Sequence, residues 1–163
     1  MQDEDIKCKI CDSNEIIEFL SLGQMPIANA FISKDKLSEP EYFFNLRVGF
    51  CKKCYMAQLI DLVPKEKLFN ANYAYFSSVS KTMEDHFKDF AAEVENKILT
   101  NPDDLVVELG SNDGIMLKYF KKAGFRVLGI EPSSNVADVA RSKGIDTWSV
   151  FFNEETAKKI VEE

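Results

Sequence analysis

Long apolar runs are missing from this chain: nowhere do about 18 apolar residues follow one another, so no membrane-spanning helix is encoded. A basic leader with an apolar stretch behind it is missing too. The sequence starts Met-Gln-Asp-Glu-Asp, acidic where a secretion signal is basic, so a cytoplasmic location is expected. Positive charge is in deficit, with 20 Lys and Arg against 27 Asp and Glu and a formal net charge of −7. A nonspecific nucleic-acid binder needs a basic face to displace phosphate counterions, which argues against that class. There is no G-x-x-x-x-G-K-S/T, which excludes a P-loop, and no G-x-G-x-x-G, which disfavours a nicotinamide enzyme. Histidine occurs once and cysteine four times. What remains is 45% apolar with 13 Phe in 163 residues, enough for a soluble chain with a well-filled core. That length fits one domain, or two if one is small and held by something other than its core.

The four cysteines form two C-x-x-C knuckles, Cys8-Lys9-Ile10-Cys11 and Cys51-Lys52-Lys53-Cys54, with 39 residues between them. Two residues between thiolates let one tight turn present both sulfurs, and two such turns complete a tetrahedral zinc site. Lys9, Lys52 and Lys53 offset the negative charge that four thiolates leave around a dication. The alternatives are two structural disulfides or four unrelated thiols, both less suited to a cytosolic chain. Four sulfur ligands leave no position for a water, so the expected role of the zinc is structural.

The spacing between knuckles exceeds that of a zinc ribbon and implies an inserted lobe. Apolar and polar side chains alternate from Glu41 to Phe50, which predicts a half-buried strand leading into the second knuckle. Tyr55 to Ile60 reads as a return strand, Ile16 to Leu20 as a strand after the first knuckle, and Leu22 to Phe31 as a loop punctuated by Gly23 and Pro26. Phe69 to Ser80 is rich in Tyr, Phe and Ser; its rings either line a pocket or cover the seam between lobes. Ser80 is placed to cap a helix in which Met83, Phe87, Phe90, Ala91, Val94 and Ile98 recur at helical spacing. His86 falls at the edge of that apolar face, as a hydrogen-bonded boundary residue or as a ligand or catalytic group. Asn101-Pro102-Asp103-Asp104 ends the helix.

Leu105 to Leu109 then reads as a strand, Gly110-Ser111-Asn112-Asp113-Gly114 as a turn, and Ile115 to about Gly124 as an amphipathic helix. Arg126 to Ile130 is a second strand that stops at Glu131-Pro132, with Ser133 next. Gly110 and Gly114 tolerate positive φ, as Asn112 and Asp113 do to a lesser degree, so the turn allows close approach of a ligand. Backbone N–H groups at the start of the helix would face that ligand. Glu131, 23 residues after Glu108, is placed to accept hydrogen bonds from ribose hydroxyls. Glu108 before the glycine, a polar turn and Glu131 after the next strand resemble an S-adenosylmethionine site; the alternative is a glycine turn with no ligand. Asn135 is read as the cap of a following helix, Asp146 to Phe152 as a third strand, and Glu154 to Val161 as a last helix.

Taken together, the two knuckles, Leu22 to Phe31, Leu46 to Cys51, Tyr73 to Ser80 and Leu109 to Gly114 resemble one family, the nucleotide-deoxysugar C-methyltransferases. The resemblance runs over essentially all 163 residues. It implies an α+β zinc-stapled N-terminal lobe, residues 1–70, then the aromatic segment and connecting helix, 71–101. A partial α/β Rossmann-like methyltransferase domain follows in 102–163. By the same resemblance Cys8, Cys11, Cys51 and Cys54 hold zinc. Glu108, Gly110, Ser111, Asn112, Asp113, Gly114, Glu131, Pro132 and Ser133 hold S-adenosylmethionine. Tyr75 and His86 approach a nucleotide-linked keto-deoxysugar whose carbon is methylated. Family members are far longer, so the chain is expected to be a fragment, inactive alone, with its main catalytic base elsewhere. Its partners would be the sugar nucleotide and the rest of the enzyme, or a second copy paired through the exposed sheet edge. The alternative is a noncatalytic zinc-lobe module that recruits a protein or a sugar nucleotide.

Overall fold

The alternation read before the second knuckle is realised as β2, Phe43–Cys51, the middle strand of an antiparallel sheet between β1, Ile16–Pro26, and β3, Ala57–Leu59. The computed structural model describes residues 6–99, 101 and 103–162; Pro102 and the acidic start, on which expectations rested, lie outside the described residues. The fold divides into two units, Met1–Leu68 and Phe69–Glu163. Among the described residues no helix is long and apolar enough to cross a membrane.

In the first unit β1 corrects the expectation of a loop from Leu22. Gln24, Met25 and Pro26 still lie opposite Asn45, Phe44 and Phe43, so only Ile27 to Phe31 is irregular. Register shifts at Glu18/Leu20 and Ser21/Gln24 absorb the misfit, and Gly23 takes φ +69° within the second. A bulge carries a strand past a glycine without ending it, and a proline is tolerated at the end of an edge strand. Arg47 then ties the sheet together. Its Nε and Nη2 donate to the Asp61 carboxylate at 2.7 and 3.0 Å, and its Nη1 donates to Glu18 at 3.3 Å. The guanidinium holds the Asp61 carboxyl below its ordinary range. A short helix α1, Lys65–Leu68, closes the unit.

In the second unit Ser80 caps α2, Lys81–Lys97, by accepting the Met83 N–H at 3.3 Å, as the sequence led one to expect. Three parallel strands follow in the order β4, Leu105–Leu109, β5, Arg126–Ile130, and β6, Thr147–Trp148. Helices α3, Leu117–Lys122, and α4, Ser134–Ser142, fill the crossovers, and α5, Glu154–Glu162, comes last. Ala91 of α2 joins Leu117, Phe120, Ala140 and Ile145 in one core. The buried stripe of α2 is narrower than its spacing predicts, since Phe90 and Ile98 are exposed. The expected third strand, Asp146 to Phe152, shrinks to Thr147–Trp148: its partner β5 ends at Ile130, and beyond that only the Glu131 N–H reaches the Trp148 carbonyl, at 3.0 Å. The expected helix after the glycine turn also starts later, at Leu117, because the turn continues to Met116.

Replacing Arg47 with Ala should lower the stability of the first unit by about 1–3 kcal/mol, read from its unfolding, because two carboxylates lose a charge-assisted partner. Asp61 has a depressed folded pKa, so its contribution is present above the unfolded value of about 4 and is lost as pH falls through the folded one. The gap between wild type and Arg47→Ala should therefore narrow on acidification.

Candidate functional site

The two knuckles share one backbone design. Cys8 N–H donates to the Ser13 carbonyl at 2.8 Å and Asp12 N–H to the Cys8 carbonyl at 3.0 Å. Cys51 N–H donates to Met56 and Tyr55 N–H to Cys51, both at 2.9 Å. Asp12 and Tyr55 occupy the same place in each knuckle, at φ +56° and +63°. Left-handed geometry is uncommon outside glycine, least so for aspartate, and here it is where the chain reverses so that both sulfurs point inward.

All four sulfurs lie within 4.8 Å of one another, with Cys8–Cys54 at 3.5 Å and Cys11–Cys51 at 3.7 Å. A disulfide brings sulfurs to about 2.05 Å, and the cysteines are free. Sulfurs about 2.3 Å from a tetrahedral zinc stand about 3.8 Å apart, so the donor set fits that ion. The Ile10 backbone N–H, opposed by burial, draws the Cys8 thiol down to about 6. At Cys54 the pull of the Met56 N–H is overcome by burial and the neighbouring thiols, which push it up to about 12. Removing the last proton therefore calls for a cation among the sulfurs. Gln58, buried beside this cluster, accepts the Lys9 N–H on Oε1 at 3.0 Å and turns its amide toward Cys8.

In the second unit the turn after β4 has three residues at positive φ: Gly110 at +72°, Asn112 at +50° and Gly114 at +76°. Gly110 N–H donates to the Ile130 carbonyl at 2.8 Å, and Gly114 N–H to Ser111 at 3.0 Å. At Gly114 φ favours glycine, and a Cβ would in addition crowd Ile145, 3.0 Å from its Cγ1. Ser111 turns inward, its Oγ 2.4 Å from where a Cβ on Gly129 would lie, so Gly129 makes the room for this turn.

Glu131 braces the turn from the next strand end. Its carboxylate accepts the Asn112 N–H at 3.0 Å and the Ser133 N–H at 2.8 Å, and the residue is only 4% exposed. Glu108, one strand away, has a buried oxygen without a hydrogen-bond partner. Burial first, then the charges of Asp113 and Glu131, push its carboxyl up to about 8. Asp113 is buried and meets Lys143 Nζ at 2.9 Å and the Ser78 hydroxyl. Oδ1 of Asp113 and the hydroxyls of Ser111 and Ser133 are likewise buried without partners.

The structure thus gathers Glu108, Asp113 and Glu131 with Gly110, Ser111, Asn112, Gly114, Pro132 and Ser133 at the carboxyl ends of β4 and β5. Tyr75 joins them through its carbonyl, which accepts from Asn112 Nδ2 at 3.1 Å, while its side chain is 42% exposed. His86 takes no part in these hydrogen bonds; it is exposed on α2 with its ring 5.4 Å from that of Phe87. Asn135 is not a helix cap: Ser133 holds that place before α4, and Asn135 Nδ2 donates to the Tyr73 carbonyl at 2.8 Å. Tyr73, one of the aromatic residues expected to line a pocket or a seam, is half-buried and raised in pKa by burial and the Glu131 charge, whereas nothing in the sequence singles out Gly129 or Lys143. Their parts depend on contacts between segments far apart in the chain.

Residues 8–69 match a methyltransferase family model whose description is "Putative zinc binding domain". The chain is 30% identical over 154 residues to the C-methyltransferase NovU of Streptomyces niveus, covering 94% of this chain and 36% of that protein. The class is therefore a methyltransferase-related protein with a zinc-binding domain at its front. More narrowly, the chain is related to a C-methyltransferase, and it spans about a third of the length of the relative it matches.

Metal analysis of the purified chain should find about one zinc per molecule, and Cys51→Ser should lower both that content and the cooperativity of unfolding of the first unit. Folded protein without metal would contradict this. At Glu108 the folded pKa lies above the unfolded one, so the folded state loses stability as pH rises from about 4.5 to 8 and no further above that. Glu108→Gln removes this penalty. Its stability advantage over wild type should grow across that window and then level off, as measured by thermal unfolding.

Proposed function

We propose that the chain carries part of the S-adenosylmethionine site of a methyltransferase that acts on a carbon of a nucleotide-linked keto-deoxysugar, with the zinc lobe as structural support. The observation that carries this reading is the turn Gly110–Gly114 braced by Glu131 at the carboxyl ends of parallel strands. The order β4-β5-β6 with helices in the crossovers supports a Rossmann-like half, in which ligands sit at those strand ends. NovU is by its name a C-methyltransferase, which favours carbon as the methyl acceptor.

When bound, S-adenosylmethionine supplies a methyl group on a cationic sulfonium, beside an ammonium and a ribose diol. This chain's residues suit those groups. Each Glu131 oxygen has one backbone partner and a second lone pair free for a ribose hydroxyl. The carboxylates of Asp113 and Glu131 make the strand ends favourable to a cation, and a nearby positive charge would favour the ionised form of Glu108. Gly110, exposed and at positive φ, lets the ligand approach the backbone. Pro132 and Ser133 continue the wall from Glu131. Methylation at carbon also needs a base for the proton beside the ketone, and Tyr75 and His86 are the candidates this chain offers for the sugar side.

Calorimetry of the zinc-loaded chain with S-adenosylhomocysteine tests the reading. Saturable binding with about one site, abolished by Glu131→Ala, is the expected result. No binding by the folded chain would favour a noncatalytic module instead.

A further inference from the structure

Left-handed backbone at Asn112, φ +50°, is most easily adopted by glycine, yet asparagine stands there, and both ends of its amide are engaged. Oδ1 accepts the Ser77 N–H at 2.7 Å and Nδ2 donates to the Tyr75 carbonyl at 3.1 Å. An N–H can only donate and a carbonyl only accept, so these two partners fix the amide in one orientation. The Asn112 backbone N–H meanwhile donates to Glu131 at 3.0 Å, anchoring the same residue to the next strand end.

We propose that Asn112 is a positioning residue, which clasps the aromatic segment Tyr73 to Ser80 onto the cofactor turn so that the two form one wall of the site. The inference rests on the reading of that turn as the S-adenosylmethionine site. Two further fastenings flank the clasp. Asn135 donates to the Tyr73 carbonyl at 2.8 Å, and the Ser78 hydroxyl meets the Asp113 carboxylate and Lys143, the latter at 3.2 Å. Asn112 holds the middle of the segment, through the carbonyl before Phe76 and the N–H after it. Tyr73, two residues before Tyr75, is half-buried beside Glu131. Glycine at this position would serve the turn equally well and leave the segment without its middle attachment.

That difference gives the test. Asn112→Gly keeps the backbone conformation the turn requires, so the variant folds, and hydrogen exchange is followed on the full zinc-loaded chain. Amides from Tyr75 to Ser78 should exchange about tenfold faster or more, the scale of one lost hydrogen bond. Amides of α3, which Asn112 does not touch, should change by less than about threefold. Asn112→Asp, which keeps the acceptor and loses the donor, should return protection at the Ser77 amide. Unchanged exchange at Ser77 in Asn112→Gly would overturn the clasp. So would a Ser77 amide left unprotected in Asn112→Asp. If wild type fails to bind S-adenosylhomocysteine, the reading of the turn fails, and the exchange comparison still decides the clasp.

Discussion

The Glu131 carboxylate, buried between the N–H groups of Asn112 and Ser133, is the interaction on which the site in the second unit depends. A buried charge is costly unless it is hydrogen-bonded, and two charge-assisted bonds meet that cost while joining the loops that follow β4 and β5. The bridge fixes the backbone of Asn112, and through its amide the segment around Tyr75 and Ser77. It also has an electrostatic consequence. With Glu131 and Asp113 charged nearby, Glu108 keeps its proton well above the usual carboxylate range. A ligand that brings positive charge and hydroxyl donors, as in the proposed function, would suit these strand ends.

The zinc cluster does different work. It lies in the first unit, in a lobe of a single three-stranded sheet, twice shifted in register along one edge and pinned by Arg47. Small lobes seldom bury enough apolar surface to hold themselves, and a four-thiolate crosslink is a common remedy. Four sulfurs with no place for a water keep the metal out of the chemistry. Methyl transfer, if this chain contributes to it, belongs to the second unit.

Much of this was legible because its signals are short-range. Two C-x-x-C pairs already specify four sulfurs in two tight turns, and the structure brings them together. Gly110, Asn112 and Gly114 announce a turn with positive φ, and all three adopt it. Ser80 caps α2 as its chemistry allows. The errors arose where distant segments decide. Gly23 and Pro26 looked like loop punctuation, but pairing with β2 carries the strand through them. Asn135 had the chemistry of a cap and is used on Tyr73, 62 residues away. The third strand is short because its partner ends, and nothing within Asp146 to Phe152 says so.

The central claim is that the ligand site lies at the carboxyl ends of β4 and β5. The second unit also has a cavity of about 300 Å³ at the opposite ends of the strands, lined by Leu105, Phe125, Arg126, Asp146 and Ile160 among others. Amide chemical shifts recorded while S-adenosylhomocysteine is added separate the two places. The account predicts that the largest changes fall on Gly110 to Gly114, Glu131 and Ser133. Changes centred on Leu105, Arg126 and Asp146 instead, with the turn undisturbed at saturation, would contradict it.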